Sequence, residues 1–265
     1  MAKEFDGKVV VISGGSRGIG RAIAVAFARA GAQTVLAASS AANLAEAAKV
    51  VAASGGLEPM TVAGDLRTLA GCEQVFAKVS ERFKRCDVLV NSAGATKGGK
   101  FFEQPDDLWT DGFALKFHAA VRLTRLFWPL LKEAHGSIVN IVNIVGGAAR
   151  TPGPKFLIGG SVNAAFGNFS KGLTALGNRD DININAINPG PTQTERSEQL
   201  VQQFAKAQGK TVEQVRAESL AKSGLRRIGQ PGDVAELALF LCSARARHIQ
   251  GTAIAVDGGG TPGYY

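Results

Sequence analysis

Residues 8–30 read KVVVISGGSRGIGRAIAVAFARA, and this stretch decides the architecture. A short apolar run ending VVVIS has the length of a buried strand, and RAIAVAFARA has the pattern of a helix packed on one side. Between them lies the turn Gly14-Gly15-Ser16-Arg17-Gly18-Ile19-Gly20. Glycines there let the backbone turn sharply and approach a pyrophosphate, which then rests on the free N–H groups at the start of the helix. A lone glycine pattern says little. Set between a strand and a helix, it is a specific signal for phosphate binding.

Working outward, short apolar strands alternate with longer helical patterns along the chain, as repeated βαβ units around a parallel sheet require. Strands are expected at Lys8–Ser13, Gln33–Ala38, Glu58–Ala63, Val88–Asn91, Ser137–Ile141, Asn183–Ile187 and Ala253–Val256. Helices are expected at Gly20–Ala30, Ala41–Ala53, Leu69–Lys84, Leu108–Lys132, Val162–Leu176 and Val234–Leu241. No Pro/Ser-rich linker or internal repeat divides the 265 residues, which predicts a single domain over 1–265. Gly146–Gly160, GGAARTPGPKFLIGG, reads as a loop. Glu195–Ser223 is polar and weakly amphipathic, and is expected to form a lid over the carboxyl ends of the strands.

Composition narrows the function classes. Hydrophobic residues at 45% with 33 glycines suit a soluble protein with a large core and many tight turns. No apolar run reaches the roughly 18 residues of a membrane span. The polar start Met1–Lys8 lacks a signal-peptide layout, so a cytoplasmic location is expected. Cys72, Cys86 and Cys242 are widely spaced, which points away from a disulfide frame or a metal site. The net charge of +8 raises nucleic acid as a partner, but the basic residues are scattered and Arg226-Arg227 is the only adjacent pair of arginines. A solvated basic surface is the simpler reading, with a small anionic substrate next.

Further motifs follow in order. Asp65-Leu66 comes after the third strand, Asn91-Ser92-Ala93-Gly94 after the fourth, and Asn188-Pro189-Gly190-Pro191 with Thr192 and Thr194 after the sixth. Arg227-x-Gly229, Asp233-Val234-Ala235 and Val256-Asp257-Gly258-Gly259 close the chain. With the spacing Gly14-x-x-x-Gly18-x-Gly20, these resemble the short-chain dehydrogenase/reductase family over essentially the whole length. The resemblance implies a doubly wound Rossmann fold with a seven-stranded parallel sheet flanked by helices. It implies an NAD(P)-dependent oxidoreductase acting on a carbonyl, alcohol or enone small molecule. It also assigns a dinucleotide to Gly14, Ser16, Arg17, Gly18, Ile19, Gly20, Asp65, Leu66, Asn91, Ala93, Gly94, Pro189, Gly190, Thr192 and Thr194.

The choice of dinucleotide turns on the adenine ribose. An acidic residue ending the second strand would bind the ribose hydroxyls and repel a 2′-phosphate. Here that strand ends Val35-Leu36-Ala37-Ala38-Ser39-Ser40, without a carboxylate. Arg17 and Ser39 can meet the phosphate instead. NADP(H) is therefore preferred, with NAD(H) possible.

The chemistry departs from the family. Its members exchange a proton through the tyrosine of a Tyr-x-x-x-Lys pair, aided by a serine and often an asparagine. The only tyrosines here are Tyr264 and Tyr265, the last two residues. Matching Asn163–Leu173 to the family's helix puts Asn163 in the lysine slot and Gly159 in the tyrosine slot. Asn143 stands where the serine belongs, and Lys116 where the asparagine does. Lysine and asparagine have thus changed places, which would keep an ammonium and an amide in the same pocket. A buried lysine with a lowered pKa can donate a proton near neutrality. Lys116, Asn143 and Asn163 are the candidate catalytic residues, and a catalytically silent dinucleotide-binding protein or subunit is the alternative. His118, two residues on from Lys116, is expected to face elsewhere.

Lys97, Lys100, Lys116, Arg150 and Lys155 are expected to gather at the strand ends and attract an acidic substrate. Family resemblance also implies a homo-oligomer, tetramer or dimer, packed through Leu108–Lys132 and Val162–Leu176. In the second of these, Ala164, Ala165, Phe166, Phe169 and Leu173 suit close helix packing. No nucleic acid, membrane or metal partner is expected.

Overall fold

A computed structural model of the chain describes residues 3–94, 96–141 and 151–261. Strand β1 (Val9–Ser13) is buried at every position. Its alternate side chains feed two different cores, as the period of a strand dictates. Val10 and Ile12 pack with Ile23 and Phe27 of α1 (Gly18–Arg29) and with Val234 and Leu241 of the later α10 (Pro231–Leu241). Val9 and Val11 pack on the opposite face with Val75 and Val79 of α3 (Leu69–Phe83) and with Leu123 and Phe127 of α5 (Ala119–Glu133). A strand covered on both faces has no polar positions to spare, which is why it reads as an unbroken apolar run.

The remaining elements complete the layers. They are β2 (Gln33–Ala38), α2 (Ala41–Ala53), β3 (Met60–Ala63), β4 (Val88–Asn91), α4 (Asp106–Phe113), β5 (Ser137–Ile141), α6 (Leu157–Gly172), α7 (Thr174–Asp180), β6 (Asn183–Pro189), α8 (Glu195–Gln208), α9 (Val212–Ser223) and β7 (Ala253–Val256). The strands hydrogen-bond in parallel in the order β3-β2-β1-β4-β5-β6-β7. Val11 pairs with Val35 of β2 on one side and Leu89 of β4 on the other. After β3 the chain returns to the far side of β1, and this reversal opens a crevice outside the carboxyl ends of β1 and β4. Among the described residues no helix is long and apolar enough to cross a membrane.

Two expectations need correction and one a refinement. The helix expected over Leu108–Lys132 is helical throughout but carries a π turn at Ala114–His118 between α4 and α5. Such turns widen the helix by one residue, and no local propensity announces them. The loop expected over Gly146–Gly160 is already helical from Leu157, because Ile158, Gly159 and Gly160 are buried. A Cβ on Gly112 of α4 would come within 2.8 Å of Ile158 Cγ2, so close packing overrides the weak helix propensity of the glycines. The helix expected over Val162–Leu176 ends at Gly172 and restarts as α7.

The polar segment Glu195–Ser223 is the helix pair α8–α9, turned at Gly209 in the left-handed region. Each helix begins with a capping box, Thr194 with Ser197 and Thr211 with Gln214. Ala205 is the one buried residue of α8 and α9 has none, so the pair projects from the body. Asn143, Arg150, Tyr264 and Tyr265 lie outside the described residues.

Candidate functional site

The crevice at the end of β1 and β4 is a cleft of about 270 Å³. Of the residues expected to hold a dinucleotide, Gly14, Ser16, Arg17, Gly18, Ile19, Gly20, Ser39, Asp65, Leu66, Ala93, Gly94 and Thr194 line it. Lys116 does too. Four others sit behind the wall. Asn91 is buried and its amide donates to Thr124 Oγ1. Thr192 is buried with its hydroxyl donating to the Gly190 carbonyl, while Pro189 and Gly190 end β6, with Gly190 against Asp257. Glu195, Arg196 and Arg67 also line it, along with Ala38, Gly64, Ser92 and Leu115, and these three charged residues were not singled out by motif. Their only signal was position, two of them directly after Thr194.

The turn is built for close approach. A Cβ on Gly20 would lie 2.3 Å from the Gly14 carbonyl oxygen, so only glycine lets α1 start this near the strand. Gly18 adopts φ +55°, a conformation that favours glycine. Helix α1 has no side-chain cap at Arg17 and no acidic residue in its first turn. Its terminal N–H groups are thereby left for an anion. One of them already finds one: Gly18 N–H donates to Glu195 Oε2 at 3.0 Å, and Glu195 also pairs with Arg21. The site's own carboxylate thus sits where the motif expects phosphate, and the cradle fits such a group. The cleft falls just below the ~300–1,000 Å³ usual for small-molecule sites, and Glu195 and Arg196 are among its lining.

At the other end stands Lys116, on the π turn and 95% buried. Its stem lies across Gly94, where an added Cβ would meet Lys116 Cγ at 2.8 Å. No hydrogen bond or ion pair holds its ammonium among the described residues. Loss of water, and then the charge of Arg196, pushes its pKa down to about 7. Asn163 of α6 is fully buried, and neither its Nδ2 nor its Oδ1 has a hydrogen-bond partner. Gly112 against Ile158, and Ala120 in one cluster with Phe166, fix how α6 lies along the α4–α5 axis. Positions 116 and 163 fall between these contacts, at the same level. Lys116 lines the cleft, whereas Asn163 does not, and its two unpartnered buried atoms are costly in a folded chain.

The position matching the family's tyrosine is covered. A Cβ on Gly159 would lie 2.0 Å from Cε1 of Phe156, whose ring crosses that spot. His118 is exposed and leans on Phe117, away from the cleft. The expected cationic mouth is reduced: Lys97, Lys100 and Lys155 are exposed and line no part of the cleft, and Lys100 pairs with Glu103 at 2.8 Å. Long side chains on solvated loops gain more from water than from converging on one another. Among the described residues, no three His, Cys, Asp or Glu side chains gather as a metal ion would need.

Residues 14–261 match the family described as Enoyl-(Acyl carrier protein) reductase. The chain belongs to the short-chain dehydrogenase/reductase family. With it the chain joins the NAD(P)-dependent oxidoreductases. It is 32% identical to an uncharacterized oxidoreductase of Mycobacterium tuberculosis, over 96% of this chain and 92% of that one. It is 30% identical to the 3-oxoacyl-[acyl-carrier-protein] reductase FabG of Escherichia coli, over 96% of this chain and 98% of the relative. Among solved structures, L-sorbose reductase from Gluconobacter frateurii, complexed with NADPH and L-sorbose, superposes with a TM-score of 0.93 at 33% identity, covering 100% of both chains.

Proposed function

We propose that this short-chain dehydrogenase/reductase reduces a small carbonyl compound or enone with NADPH, and that Lys116 delivers the proton in place of the family's tyrosine. The observation that carries the reading is Lys116 itself: a buried ammonium in the cleft, without a counter-charge among the described residues, poised near neutrality. Bound NADPH would supply the hydride for the reacting carbon. Lys116 Nζ–H then donates to the substrate oxygen and gives up its proton as that oxygen becomes a hydroxyl; oxidation runs the same transfer backward. Asn163, fully buried and outside the cleft lining, is proposed to turn its amide toward the substrate or the ribose when they bind. Asn143, where the family's serine is expected, is proposed to orient the substrate oxygen. Helices α8 and α9 act as the lid, with Thr194, Glu195 and Arg196 at its hinge edge.

Preference for NADPH rests on the end of β2, which has no carboxylate, and on Arg17 and Ser39 at that end of the cleft. The likeness to an NADPH-bound sorbose reductase and to a 3-oxoacyl reductase supports both the cofactor and a carbonyl substrate. Oxidation of NADPH followed over a panel of ketones, aldehydes and enones tests the reading. Turnover should appear with at least one of them and vanish in Lys116→Met while NADPH binding stays. Full activity in that variant would remove Lys116 from the chemistry. The second reading, a silent dinucleotide-binding protein, is favoured by the Phe156 ring over Gly159, which blocks the family's usual proton donor. Tight NADPH binding with no turnover across the panel would select it.

A further inference from the structure

Arg196 opens helix α8, and its guanidinium reaches across the cleft to donate from Nη2 to the Thr96 carbonyl at 2.8 Å. Thr96 belongs to the segment that follows β4, so this bond ties the lid edge to the far wall. One donor of the guanidinium is spent there, and four remain. No carboxylate pairs with it among the described residues. The two acids that line the cleft are committed elsewhere: Glu195 to Gly18 N–H and Arg21, and Asp65 to Arg67. The group is half-buried, and its charge bears on Lys116, while that of Arg17 bears on Arg196. Arg196 therefore stands between Arg17 at the ribose end and Lys116 at the reacting end. Two cationic side chains close together in a partly dry cleft, with no acid between them among the described residues, offer a seat to an anion.

Resting on the proposed reductase reading, we infer that Arg196 anchors an oxyanion group of the substrate, so that the compound reduced beside Lys116 is a small oxo acid or a phosphorylated ketone. The diphosphate of the cofactor is the competing occupant, but its seat is the start of α1, where Gly18 N–H and Arg21 already hold an anion. A guanidinium fork matches carboxylate and phosphate alike through two parallel hydrogen bonds. This makes Arg196 a specificity-determining residue that acts on substrate choice by contact, while its charge also lowers the pKa of Lys116.

The test uses the NADPH-loaded full chain and its nucleotide fluorescence. Titrants are 2-oxo and 3-oxo acids, each matched to its own neutral ester, and dihydroxyacetone phosphate matched to dihydroxyacetone. At least one anionic member should bind ten times or more tightly than its neutral match. Arg196→Gln should abolish that preference, Arg196→Lys should keep part of it, and NADPH affinity should hold in both. Carboxylates and the phosphate are separate arms, and whichever shows the Arg196-dependent preference names the group. Equal binding of every anion and its neutral match, or a preference untouched by Arg196→Gln, overturns the inference. Loss of NADPH affinity in Arg196→Gln reassigns the residue to the cofactor and overturns it as well. Turnover of a neutral ketone that persists in Arg196→Gln leaves the reductase reading standing when this one falls, so the two failures are distinct.

Discussion

A lysine buried without a counter-charge is a destabilising feature kept for its chemistry, and that gives Lys116 two opposite signatures. Its folded pKa of about 7 lies below the ordinary lysine value of 10.5. Only the protonated form can donate, so the rate of carbonyl reduction should fall as pH rises through about 7, and oxidation should rise. The stability effect has its own sign. Below pH 7 the folded state carries the buried charge and its full cost; between 7 and 10.5 the unfolded chain binds more proton than the folded one, so stability climbs with pH. Lys116→Met should therefore lose turnover yet gain ~1–4 kcal/mol, most at pH 6 and less toward pH 10. Thermal melts across that range check it, at about 2–4 °C for each kcal/mol in a chain of this size. Arg17→Ala makes a second residue-level prediction. It should weaken NADPH roughly tenfold more than NADH in direct titrations, since only NADPH has a 2′-phosphate and a charge-assisted bond is worth about 1.5–3 kcal/mol. Equal losses would argue for NAD(H). Arg17 and Lys116, placed by fixed-spacing motifs, line the cleft, while Asn163, placed the same way, does not. Arg196 was not legible in the sequence: its importance comes from what fails to neutralise it, and only the fold shows that.

Elements differ in how plainly a sequence declares them. Strands β2, β4, β5 and β7 have the bounds expected from their apolar runs, and in β2 and β4 burial on both faces leaves a strong and simple pattern. The π turn was invisible, because it changes hydrogen-bond partners without changing composition. The start of α6 was misread for the opposite reason: Gly159 and Gly160 speak for a loop locally, but burial decides for helix. Phe156 provides a test of that packing. An alanine in a helix interior normally gains about 1 kcal/mol over glycine. At Gly159 the new Cβ would strike the Phe156 ring, so Gly159→Ala should lose ~1–3 kcal/mol. In a Phe156→Ala background the same change should turn stabilising. Denaturant melts of the four proteins give the coupling directly. A coupling near zero would show that the ring swings aside freely and is no barrier at the tyrosine position.

For the whole molecule, charge was the least informative signal. The excess of basic residues is spread over the surface in part through ion pairs such as Arg227–Asp233 and Arg247–Asp181, and only a few cations turn into the cleft. Self-association is the larger question. The expectation placed Phe166 and Phe169 of α6 at a partner, but Phe166 is fully buried in its own chain and Phe169 meets Phe117 with ring centroids 5.8 Å apart. Outward, α6 presents Ser161, Ala164, Asn168, Lys171 and Gly172, and a side chain at Gly167 or Gly172 would meet nothing within 4 Å. The small residues Ala164, Gly167 and Gly172 leave room for two copies to approach across a two-fold axis, each presenting the same patch to the other. Light scattering at micromolar concentration should then give a dimer or tetramer mass. Gly167→Arg should lower that mass toward the monomer, because two guanidinium groups would meet at the axis. The substitution fits within one chain, and arginine favours helix over glycine by about 0.8–1 kcal/mol, so the fold should hold in circular dichroism. An unchanged oligomer in Gly167→Arg would move the interface off this face, and a monomeric parent chain would remove it altogether.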